Sequence, residues 1–75
     1  MTLRQLTAKQ NDVLLFIRDF VKAKGYPPTR KEIASNFGFN PNAAQAHLVA
    51  LSKKGFLRVE YGISRGIALV EQATA

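Results

Sequence analysis

The 75-residue chain has no cysteine and no tryptophan, a single histidine, and only five acidic residues against eleven lysines and arginines. Without cysteine it has neither a disulfide framework nor a thiolate metal site, so packing alone must hold it together. One histidine, His47, with no carboxylate at ligand spacing makes neither a metal centre nor a catalytic pair, and it reads as a packing residue at the edge of a helix. There is no glycine-rich phosphate loop, no carboxylate pair and no triad pattern. Ser64 lacks a base at recognisable spacing and reads as a turn hydroxyl. The expectation is therefore a protein that is not an enzyme and uses no cofactor, metal or small-molecule ligand. No segment approaches the roughly 20 apolar residues of a membrane span, and Met1 to Ala8 lacks the apolar run of a signal peptide. A cytoplasmic, nucleoid-associated location with no membrane partner follows as an expectation.

What is present is a small, foldable and basic composition. Apolar residues make up 47% of the chain, enough for one compact core but not for two. The formal net charge of +6 favours a polyanionic partner, with nucleic acid ahead of anionic lipid. Charge alone does not decide the matter; the fold has to place it usefully.

Three helix signals follow in order. Thr7 and Gln10 form a capping box, and behind them Val13, Phe16, Ile17 and Phe20 recur at helical spacing, widened by Leu14 and Val21. A first helix is predicted from about Ala8 to Lys24, with Lys22 and Lys24 at its cation-preferring end and Gly25 as its stop. Tyr26-Pro27-Pro28 is a rigid connector. Thr29 and Glu32 form a second capping box, opening a short helix that turns Ile33, Ala34 and Phe37 inward and ends at Gly38. Asn40-Pro41 restarts the chain as N-cap and first helical residue of a third helix, predicted to span Pro41 to Lys54, with Ala44, Leu48 and Leu51 inside.

After Gly55 the period changes from helical to alternating. Phe56 to Tyr61 and Gly66 to Val70 read as two short strands joined by Gly62-Ile63-Ser64-Arg65. Two strands are marginal alone, so the hairpin must lean on the helices through Leu57, Val59, Ile67 and Leu69. The fold class is mainly α with a small β-hairpin: a three-helix winged helix-turn-helix over residues 1–70, followed by a flexible tail at 71–75.

In that order of elements the third helix enters a major groove and the hairpin, the wing, touches backbone nearby. Its outward face carries Asn42, Ala43, Gln45, Ala46, Val49 and Ser52 and no charge. Amides can bond bidentately to adenine and methyl groups can pack on thymine, so base-edge contact is assigned to Asn40, Asn42, Ala43, Gln45, Ala46 and Val49. Backbone contact is assigned to Thr29, Arg30, Lys31, Ser52, Lys53, Lys54, Ser64 and Arg65, with Arg58 a further cation in the hairpin and the helix N-termini at Thr29 and Asn40 adding N–H donors. Each has an ordinary alternative. The face can be a plain solvated one, a dispersed cation can serve solubility, and Arg65 can be an exposed turn residue.

The segments Leu6-Thr7-Ala8-Lys9-Gln10, Pro27-Pro28-Thr29-Arg30-Lys31-Glu32-Ile33-Ala34, Gly38-Phe39, Pro41-Asn42-Ala43-Ala44, His47-Leu48, Lys54-Gly55 and Ser64-Arg65-Gly66-Ile67 resemble the DNA-binding domain of LexA repressors. The resemblance runs through nearly the whole chain. It implies a recognition helix starting at the Asn-Pro-Asn-Ala-Ala segment, base-reading positions at Asn42, Ala43, Gln45 and Ala46, and Arg65 near the backbone or minor groove. It also implies repression of an SOS-type response by a homodimer on a palindromic operator in double-stranded DNA. The turn Gly38-Phe39-Asn40-Pro41 is one residue shorter than in the enterobacterial form, and Gln45 and Ala46 stand where such members carry acidic residues, so the operator sequence does not transfer. Complete members of the family continue into a self-cleaving dimerisation domain, which these residues do not include. The chain is read either as a fragment of a longer repressor or as a free-standing regulator, of a phage or mobile element for instance. The competing reading is a protein-interaction module that docks a regulator or polymerase component through Phe39, Val49 or Tyr61.

Overall fold

The fold is that of a computed structural model, which describes residues 6–70. Three helices and a two-stranded hairpin follow in the order α1 (Ala8–Lys24), α2 (Arg30–Phe37), α3 (Pro41–Lys53), β1 (Leu57–Val59) and β2 (Ile67–Leu69). This is the expected mainly helical architecture with a wing. The tail expected at 71–75 lies outside the described residues.

The helix boundaries follow from hydrogen-bond chemistry at the chain's polar residues. At Thr7 and at Thr29 both halves of the capping box form: the Thr hydroxyl accepts from the backbone N–H three residues on, and the Gln10 or Glu32 side chain accepts from the Thr N–H. Asn40 caps α3 by accepting the Ala43 N–H at 2.9 Å, and Pro41 occupies a position whose missing N–H is not needed. α3 ends one residue before the expected Lys54, which serves as the cap instead. The reason is the left-handed Gly55, at φ 87°: beyond it the Phe56 N–H donates to the Leu51 carbonyl and the Gly55 N–H to that of Ser52, the paired bonds of a Schellman stop.

The core is a single cluster. Val13, Leu14 and Ile17 from α1 meet Ile33 and Ala34 from α2 and Ala44, Leu48 and Leu51 from α3, with Leu57 and Ile67 closing it from the hairpin. α3 packs against α2, against β1 and against α1, which makes it the central element. A chain of rings runs along one side, from Tyr26 through Phe20, Phe16, Phe37 and Phe39 to His47, with centroids 5.0–5.9 Å apart. Among the described residues no buried polar side chain is left without a partner, and no helix is long and apolar enough to cross a membrane.

The hairpin departs from the sequence expectation in two ways. Its strands are three residues each, paired antiparallel as Leu57 with Leu69, Arg58 with Ala68 and Val59 with Ile67. Hydrogen bonds do reach one step further, from the Glu60 N–H to the Gly66 carbonyl and from the Val70 N–H to that of Phe56, but Tyr61 already belongs to the turn. Leu69, expected to lean on the helices, is exposed, because the helices cover the hairpin at Leu57 and Ile67 and leave the outer strand's far end uncovered.

Candidate nucleic-acid interface

The N-terminus of α2, the exposed side of α3 and the wing enclose one concavity of about 620 Å³. Its lining includes Thr29, Arg30 and Lys31 from the start of α2, Pro41 and Gln45 from α3, and Tyr61, Ile63, Ser64 and Arg65 from the wing; Leu48 and Ile67 form part of the wall. Six residues assigned from sequence (Thr29, Arg30, Lys31, Gln45, Ser64 and Arg65) therefore come together in space from three separated stretches of chain.

The remaining assigned residues continue outward along α3. Asn42 and Ala46 are exposed, Ala43 and Val49 half-buried on the same helix, and Ser52 and Lys53 follow at its end. Asn40 is exposed, but its side-chain oxygen is committed to the Ala43 N–H. Lys54 is turned toward α1, where its ammonium donates to the Gln10 side-chain oxygen at 2.7 Å. Lys53 is the exposed cation of that pair.

Gln45 is tied to both neighbours of the concavity. Its side-chain oxygen accepts from Arg30 at 3.0 Å, and its Nε2 donates to the Tyr61 hydroxyl in a long 3.4 Å contact. Both bonds are exposed to solvent, where water competes for the same groups. The sequence points to Tyr61 only as part of a protein-docking patch; its place in this constellation depends on a contact 16 residues away in the chain, which no local pattern carries. Phe39, named for the same patch, is half-buried and stacked between Phe37 and His47.

Arg65 lies in the turn of the wing, as expected. Its guanidinium folds back toward α2 and donates to both carboxylate oxygens of Glu32, at 2.8 and 3.0 Å, and to the Pro27 carbonyl at 2.9 Å. It lies 4.6 Å over the Tyr26 ring. The bidentate fork onto a carboxylate, with the cation over a ring, suits a guanidinium better than an ammonium. The Arg65 hydrogen bonds, followed by the Thr29 N–H, hold the Glu32 carboxyl below its ordinary range, and the carboxylate in turn raises Arg65.

This arrangement is a cleft between a basic helix end, a charge-poor helix face and a hairpin tip. A sequence model for the LexA DNA binding domain matches residues 3–66. The chain belongs to the LexA DNA-binding domain family. The LexA repressor of Marinomonas sp. (strain MWYL1) is 54% identical over 71 residues, covering 93% of this chain and 34% of the relative. The LexA repressors of Azoarcus sp. (strain BH72) and Dechloromonas aromatica (strain RCB) are 53% and 54% identical over 68 and 69 residues, covering 89% and 91% of this chain. The chain spans about a third of the length of each of these LexA repressors, 34% in every case. What is matched is thus their DNA-binding part, and the family resemblance read from the sequence holds from α1 through the wing.

Proposed function

We propose that the chain binds double-stranded DNA sequence-specifically and acts as a LexA-like repressor in the cytoplasm. The observation that carries this is the concavity itself, in which the start of α2 and the wing converge on Gln45, the one residue of the uncharged α3 face that lines it. In this reading α3 lies in the major groove. Asn42, Ala43, Gln45, Ala46 and Val49 face base edges, with the Asn40 amide at the helix start. Thr29, Arg30, Lys31, Ser52, Lys53 and Ser64 face the backbone, and Lys54 joins them only by releasing Gln10. A module of this size covers roughly 600–1,000 Å² of surface on DNA, so tight binding calls for two copies on a palindromic site.

The test is selection of bound duplexes from a random library by the purified chain at near-physiological salt, followed by affinity measurements on the selected site. A two-fold symmetric motif is expected, with a footprint over both halves. Gln45→Ala is expected to change the preferred bases and to cost about 1–3 kcal/mol at the position it reads. Lys53→Ala is expected to weaken all sequences alike and to reduce the salt slope by about one. Recovery of no motif, with binding insensitive to both substitutions, rejects the reading and turns attention to docking through the exposed Tyr61 and Ile63.

A further inference from the structure

Arg65 is the only described residue other than glycine with a positive φ, at 57°. A side chain in this left-handed region is disfavoured. The conformation is held by what the side chain reaches. Three hydrogen bonds and a cation–ring contact tie it to the Tyr26-Pro27 connector and to Glu32, which lie 33 to 39 residues earlier. Glu32 is itself fixed, since one of its oxygens also accepts the Thr29 N–H in the capping box of α2. The chain of contacts therefore runs from the wing tip through Arg65 and Glu32 to the helix that precedes α3. By contrast, the two strands of the wing are three residues long and make a short ladder of their own.

We propose that Arg65 is a positioning residue: anchored on Glu32, Pro27 and Tyr26, it fixes the wing at its angle to α3 and does not itself grip a phosphate. The proposal rests on the DNA-binding reading and deepens it. Arg65's charge is already matched by a carboxylate, so the cations that release counterions from DNA are those elsewhere on the surface. Its work is geometric: it sets where Tyr61, Ile63 and Ser64 stand relative to Gln45.

The two roles predict different outcomes for the same variants. A phosphate grip tolerates lysine, which keeps the charge; the anchor does not, because an ammonium can neither fork onto a carboxylate nor stack flat on a ring. Arg65→Ala and Arg65→Lys are both expected to weaken binding to the selected duplex about tenfold, with the salt slope unchanged. Glu32→Gln is expected to weaken it as well, although removing a negative charge beside DNA would on simple electrostatics tighten it. Wild-type affinity in Arg65→Lys, a slope lowered by about 0.9 in Arg65→Ala, or tighter binding by Glu32→Gln would overturn the proposal. A readout without DNA separates it from the functional reading. In the free chain the Tyr26 ring should shift the Arg65 side-chain proton resonances, and the shift should collapse in Glu32→Gln. Should the wild-type chain select no DNA at all, the functional reading falls while these resonances still judge the anchor, and unshifted Arg65 signals in the wild-type chain reject it.

Discussion

Leu48→Ala should destabilise the domain by about 2–5 kcal/mol, a large part of the roughly 4–11 kcal/mol available to a chain this short. Leu48 is 2% exposed and sits midway along α3, the element that packs against α1, α2 and the hairpin at once. Truncation leaves a cavity that cannot collapse easily, because the residues around it come from three separate elements, each held in place by its own cap or turn. The same side chain helps wall the concavity, so the loss should reach function as well. Urea unfolding followed by far-UV circular dichroism measures it: the midpoint should fall sharply while the slope of free energy against urea stays as in the wild type. A change under about 1 kcal/mol would show that α3 is not the centre of the core.

The capping boxes at Thr7 and Thr29, the Asn40-Pro41 start of α3 and the buried stripe of Ala44, Leu48 and Leu51 were all legible in the sequence. Each depends on residues within about one or two helical turns of one another, where the geometry of a helix fixes which side chain meets which N–H or which face. Leu69 was misplaced for the opposite reason. Alternation assigns Ile67 and Leu69 to one face of a strand, but only the arrangement of the helices decides how far along that face the cover extends. The candidate site divides along the same line. The polar, charge-poor face of α3 follows from helical spacing, whereas the Arg30–Gln45–Tyr61 contacts and the Arg65–Glu32 pair join residues 15, 16 and 33 positions apart. The sequence marks Arg65 as a basic residue in a turn, but the carboxylate and the ring beside its guanidinium come from residues too distant in the chain for a local pattern to name.

Gly66→Ala tests the wing from the backbone rather than from a side chain. A Cβ at Gly66 would fall on the carbonyl oxygen of Glu60 and close against Cγ1 of Ile63. The Ile63 side chain can rotate away, but the Glu60 carbonyl is main chain, and the neighbouring Glu60 N–H is bonded to the Gly66 carbonyl. The turn must therefore open, at an overpacking cost of about 1–3 kcal/mol. Opening it moves Arg65, the adjacent residue, off Glu32 and Tyr26, so binding to the selected duplex should fall by more than the loss of stability explains. Gly62→Ala in the same turn is the matched control. Its Cβ would enter open space, leaving only the strain of φ +90°. Thermal unfolding and duplex affinity measured on both variants separate the two effects. Gly66→Ala should retain its helices and lose DNA affinity well beyond Gly62→Ala, and equal affinities would mean that the wing's closure does not govern how α3 meets the groove.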